Sequence, residues 1–187
     1  AKQCNGTFTT ANGKLDAGSI RVTGHIAGLV SPRDLAFIVP TLSKVNESIT
    51  LSADFRATGT RVSVPSLIIS TPSNGMSISA SGDVSDINKP NAWHAAVRRA
   101  HVTTAFARPI IDAFGVKLPA SIDLDQISYV DLSGNASGTR NAITAKASIG
   151  TNFGDAVVNL STHGKHISAS MHTAQLSLTP FVKSPVI

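Results

Sequence analysis

Apolar residues at every second position, in one run after another, constrain this chain more than any other feature. Ile49, Leu51, Ala53, Phe55 and Ala57 alternate with Thr50, Ser52, Asp54 and Arg56. Ile143, Ala145, Ala147 and Ile149 alternate with Thr144, Lys146 and Ser148. Ala156, Val158 and Leu160 follow the same rule, and so do Ile167, Ala169 and Met171. Successive side chains of a strand point to opposite faces, so a period of two gathers the apolar residues on one face and the polar ones on the other. One dry face and one wet face is what antiparallel sheet permits.

The strands recur in a fixed order. Ser19–Ile26 matches Ser77–Val84 at an offset of 58 residues, and Leu29 and Ile87 extend the match. Gly59-Thr60-Arg61 recurs as Gly138-Thr139-Arg140 at an offset of 79, and Gly75 recurs as Gly154. Between them the offset slips to 80, pairing Ile69 with Ile149 and Ile78 with Val158. Such self-similarity marks a repeat architecture. The four glycines are spaced as turns between strands rather than as phosphate cradles.

Two stretches break the alternation. Ser31-Pro32-Arg33-Asp34 offers a cap, a first-turn proline and an acid at the positive helix end, and Leu35, Ile38, Val39 and Leu42 then share one helical face. The second stretch, about 104–114, places Phe106, Ile110 and Phe114 four apart, with Gly115 as a C-terminal cap and Pro109 to shorten or kink it. Helix plus strands make the repeating module. The boundaries expected are 1–31, 32–100, 101–178 and the start of a further module at 179–187, where Thr179-Pro180-Phe181 opens another short helix. The helices act either as covers along the sheet or as connections between strands.

Composition excludes several classes. The chain has 187 residues, 42% of them hydrophobic and only 14% charged, against a typical charged share of about 25%. That is not a disordered composition, which pairs low hydrophobicity with high net charge. Aromatics are 5%, too few bulky side chains to fill the roughly 10 Å between two packed sheets. Ala, Val, Ile and Leu would instead line an open trough. The net charge of +5 is scattered, Arg98-Arg99 being the only adjacent basic pair, and no aromatics interleave with it as nucleic-acid platforms require. Nucleic acid is therefore not an expected partner. Cys4 is the only cysteine, so no internal disulfide forms.

No catalytic or metal-binding pattern emerges. His163 and His166 flank a Gly164-Lys165 turn, and Asp155 and His172 fall on the flanking strands without the ligand spacing of a zinc site. His25, His94, His101 and His172 read as outward-facing polar residues of strands. Asp123 and Asp125 sit two apart on one strand edge, not across a gap as glycoside hydrolysis needs. There is no nucleophile elbow, phosphate loop, dinucleotide fingerprint or His-Glu-x-x-His. No enzyme activity, cofactor or metal is expected.

Two stretches carry a family resemblance: Ile49 to Thr60, and Leu132 to Thr151. A strand ending in Gly-Thr, an alternating strand, then a Gly turn such as Asn152-Phe153-Gly154 resembles the TamB-like translocation and assembly modules. These belong to the wider AsmA-like group of Gram-negative envelope proteins. The resemblance implies an internal piece of a protein anchored in the inner membrane by a helix outside this sequence, its body crossing the periplasm. It implies an all-β, mostly antiparallel, elongated sheet curled into a taco-like open groove, here with two short helices between strand repeats. It also implies phospholipid transport between the inner and outer membranes, and a BamA-like outer-membrane partner reached through regions outside this chain.

The residues themselves suit acyl chains, which need a continuous dry lining. The lining expected is Ile49, Leu51, Ala53, Phe55, Val62, Val64, Ile69, Ile78, Ala80, Val84, Ile143, Ala145, Ala147, Ile149, Ala156, Val158, Leu160, Ile167, Ala169 and Met171. Two other possibilities stand beside it. The same residues could close on one another as a sandwich core, or the sheet could act as a scaffold whose edges pair with the β-strands of client outer-membrane proteins.

Overall fold

The computed structural model describes residues 3–7, 10–11, 14–15, 17–36, 43, 47–88, 92–113, 115 and 124–177. Ten strands form one antiparallel sheet. They are β1 (Gln3–Thr7), β4 (Arg21–Val30), β5 (Ile49–Thr58), β6 (Arg61–Ser70), β7 (Met76–Val84), β8 (Trp93–Thr103), β9 (Tyr129–Gly138), β10 (Ala142–Thr151), β11 (Gly154–His163) and β12 (His166–Leu176). Their order across the sheet is β1-β4-β5-β6-β7-β8-β9-β10-β11-β12. The short strands β2 (Thr10–Ala11) and β3 (Lys14–Leu15) pair separately. The sheet is not closed: β1 pairs only with β4, and β12 only with β11.

No second layer covers the sheet among the described residues. Each strand of the large sheet makes its substantial contacts with its sheet neighbours, and the one α-helix, α1 (Thr104–Ala113), touches β8. No described side chain is fully buried. The accessible surface is 12750 Å². A globular monomer of 19.4 kDa would expose about 8,500 Å². A sandwich core is therefore not what these strands build.

Two of the two-residue hairpins follow the glycine turn rule. Gly59 (φ 56°) and Gly164 (φ 58°) each take the first central position of a two-residue loop, where a positive φ matches the twist of the flanking strands. Gly138 departs from the turn role expected of it. It ends β9 inside the sheet, opposite Trp93, and a Cβ there would lie 2.8 Å from the indole. The indole lies across it, as the Phe55 ring does over its own partner Gly24.

The alternation of β6 shifts phase within the strand. β6 carries one extra residue between Val64 and Leu67, at Pro65, relative to both β5 and β7. That bulge resets the phase, so Val62 and Val64 share a face with Leu67 and Ile69. β9 starts a second set of four strands, in which Ile149 takes the row of Ile69, but Ala156 and not the expected Val158 takes the row of Ile78. The boundary expected at 100/101 cuts β8, which continues to Thr103 before α1 begins.

The two helical stretches are described only in part. Pro32–Leu35 forms a single 3-10 turn, and Ser31 makes no side-chain cap hydrogen bond. Ile38, Val39 and Leu42, like Phe114, Asp123 and 178–187, lie outside the described residues. α1 connects β8 to β9 at the end of the sheet from which the Pro32 turn also leaves. Phe106 packs on Gly75 in the β6–β7 turn, and the Thr104 hydroxyl donates to the Ile127 carbonyl. α1 therefore acts as a connection at the rim. Gly115 closes it at φ 63°, its N–H donating to the Asp112 carbonyl. Gly115→Ala should cost about 1 kcal/mol and raise amide hydrogen exchange within α1, because an L side chain resists that backbone conformation.

Candidate functional site

Pairing registers assign every strand residue to a face, because directly opposed residues point the same way. One row runs Ile26, Ala53, Leu67, Ala80, Val97, Gly134, Ala147, Val158, Met171. A parallel row runs Gly28, Leu51, Ile69, Ile78, Ala100, Leu132, Ile149, Ala156, Thr173. A third joins Val22, Ala57, Val62, Val84, Trp93, Gly138, Ile143, Thr162 and Ile167. All the residues expected to share a dry face do so, with Ile49, Phe55, Val64, Ala145, Leu160 and Ala169 falling between or beside these rows.

The partition of charge has one exception, at the β8 bulge. Every Asp, Lys and His of β4 to β12 lies on the opposite face, as does every Arg outside the β8 bulge. On that wet face three histidines sit directly across from aspartates. His25 Nδ1 is 2.7 Å from Asp54, His101 Nδ1 is 2.9 Å from Asp131, and His94 Nδ1 is 3.9 Å from Asp83. Arg61 approaches Asp83 at 3.6 Å. These exposed pairs satisfy charge and contribute little stability each. His163 and His166 oppose each other across the Gly164 turn on the same face, and among the described residues no group of three or more metal-ligating side chains forms. Asp125 lies in the turn Leu124–Gln126, not on a strand edge, and pairs with Arg108.

The apolar face is uneven. At its centre Ala95, Val97, Leu132, Ala136, Ala145 and Ala147 surround an apolar hollow of about 190 Å³ with Gly134 among its walls. A Cβ at Gly134 would lie 2.4 Å from the Lys146 carbonyl oxygen and 2.8 Å from the Ala147 Cα. Backbone that close on this side means the sheet folds toward its apolar face between β9 and β10, and only glycine leaves room for it. Toward β12 the cover thins: Ile143 and Leu160 are 37% exposed, Met171 68% and Ile167 73%.

Several residues of this face escape a reading of the sequence. Trp93, Ala95 and Val97 alternate, then Arg98-Arg99 interrupt, and Ala100 and Val102 resume out of phase. The interruption is a bulge with one extra residue on β8. Leu67, Leu132 and Val130 are further members, hidden by the β6 bulge and by the glycines of β9. A phase slip of one inside an otherwise regular run is the signal that would have found them.

No family model, curated protein or solved structure matches this chain. No described helix is long and apolar enough to cross a membrane.

Proposed function

We propose that the apolar face of this open sheet carries lipid acyl chains, and that the chain serves as a segment of an envelope protein moving phospholipid between inner and outer membranes. One observation carries the reading: across β4 to β12 the face holds no ionisable side chain outside the β8 bulge, and no second layer covers it among the described residues. The row from Ile26 to Met171 crosses nine strands, about 38 Å at ~4.8 Å per strand. That exceeds the ~15 Å depth of one bilayer leaflet's hydrocarbon. Each methylene moved from water onto such a surface contributes up to about 0.8 kcal/mol. Alanines and glycines along the row keep it low enough for a chain to lie along it. The periplasmic setting rests on the resemblance of the Gly-Thr strand stretches to TamB-like modules.

Photo-crosslinking tests this. A benzophenone amino acid at Leu51 or Val158, on the dry face, should yield phospholipid adducts by mass spectrometry after exposure to vesicles. The same probe at Ser79 or Asn159, on the wet face, should not. Adducts to peptide alone at the dry-face positions, or equal lipid yield from both faces, would sink the proposal.

A further inference from the structure

Cations that are scattered along the sequence collect at one rim of the sheet. Antiparallel pairing brings the start of β4 and the β5–β6, β9–β10 and β11–β12 turns to the same end of the strands. Arg21, Arg61, Arg140 and Lys165 stand there. Asp83 approaches Arg61 at 3.6 Å, and Asp86 accepts from the Asn88 N–H. Among the described residues no carboxylate pairs with Arg21, Arg140 or Lys165. The other rim is acidic. There Glu47, Asp112, Asp125 and Asp155 outnumber Arg33 and Arg108, and Arg108 is paired with Asp125.

Two of the rim cations border the dry face. Arg140 lies in the turn that joins Gly138 to its partner Ile143, and Lys165 in the turn that joins Thr162 to its partner Ile167. Those four residues belong to the apolar row nearest this rim. Arg140 and Lys165 stand beyond the last paired residues of their strands, so the pleat commits neither side chain to the wet face. A long stem also lets such a side chain lie over apolar surface while its charge stays in water.

We infer that this rim holds the lipid phosphate, an assignment that rests on the dry face carrying acyl chains. The chains lie on the dry rows, and the headgroup projects past the Arg140 and Lys165 turns. An arginine fork matches two phosphate oxygens, and a lysine ammonium adds a compact charge beside it. The two turns are two strands apart, about 10 Å at ~4.8 Å per strand. Arg61 and Arg21 continue the line parallel to the dry rows, so a phosphate passes from cation to cation as its chains cross the strands. At the acidic rim the same phosphate would be repelled.

The test gives the whole chain, with the benzophenone at Val158, vesicles of phosphatidylglycerol containing a minor share of diacylglycerol with the same chains. Both lipids come from one surface, so repulsion of the vesicle affects them alike, and their adducts differ in mass. Arg140→Glu and Lys165→Glu should each lower the ratio of phospholipid to diacylglycerol adduct about fivefold, the contribution of one cation beside an anionic headgroup. The double variant should lower it at least tenfold. Lys146→Glu, the same charge change on the wet face of β10, should leave the ratio unchanged. The inference is overturned if the double variant keeps the parent's ratio, or if Lys146→Glu lowers it as much. Diacylglycerol adducts with an unmoved ratio remove this inference alone. Absence of both adducts in the parent removes the acyl-carrying reading with it.

Discussion

Replacing Gly134 with valine should destabilise the protein by about 3 kcal/mol, the upper part of the range for forcing atoms into occupied space. For a domain of this size that is a fall in melting temperature of roughly 6–12 °C. The added Cβ would meet backbone, the Lys146 carbonyl at 2.4 Å and the Ala147 Cα at 2.8 Å, and backbone cannot rotate out of the way as a side chain can. Both atoms belong to β10, which is paired with β9 along its length, so relief requires opening the ladder or flattening the bend. Gly28→Val is the matched control. Gly28 sits on the same face in β4, and nothing lies within 4 Å of its would-be Cβ. There the change should be within about 0.5 kcal/mol, or stabilising, because valine suits extended backbone better than glycine. Thermal denaturation of both variants decides the matter. Equal shifts would show that glycine content, and not a sharp bend at β9–β10, sets the effect.

Val158→Asp should lower lipid capture at least tenfold, whereas Asn159→Asp should leave it unchanged. The two positions are adjacent in β11 but belong to opposite faces, Val158 between Ala147 and Met171, Asn159 between Lys146 and Ser170. An acyl chain laid over the new carboxylate of Val158→Asp would strip water from it with no cation directly opposite to pair with it, a cost of several kcal/mol. In Asn159→Asp the new charge stays in water beside Lys146. Capture is read from photo-adduct yield at Leu51, which lies on β5, well away from β11 in sheet order. A loss shared by both variants would point to charge repulsion of the vesicles rather than to a blocked dry path.

Much of the architecture is legible because the period of two is local. Leu51, Ala53 and Phe55, or Ala145, Ala147 and Ile149, share a face whatever their strands pair with, since the pleat alone dictates it. The open sheet was foreshadowed by what is missing: with one Trp, one Tyr and seven Phe, little could fill the space between two layers. The second helix was legible too, down to its Gly115 cap, but the first stretch was less so. The Pro32 stretch has a helical pattern of apolar residues, yet its described part is one 3-10 turn, and the Ser31 hydroxyl caps nothing. Propensity and capping residues are weak priors for a helix. Gly138 misled for a related reason. A Gly-Thr pair marks a turn by its freedom of φ, but a glycine is equally a landing place for an aromatic ring, and only the arrival of Trp93 distinguishes the two.

By itself, then, the amino-acid order settled which side chains keep company on a face, and that the charges would be banished from it, because alternation is a property of single strands. Which strands stand side by side, where Pro65 and Arg98-Arg99 reset the phase, and how tightly β9 folds against β10 were decided only by the assembled sheet. Those features depend on contacts between residues tens of positions apart, and a period read along one strand carries no information about its neighbours.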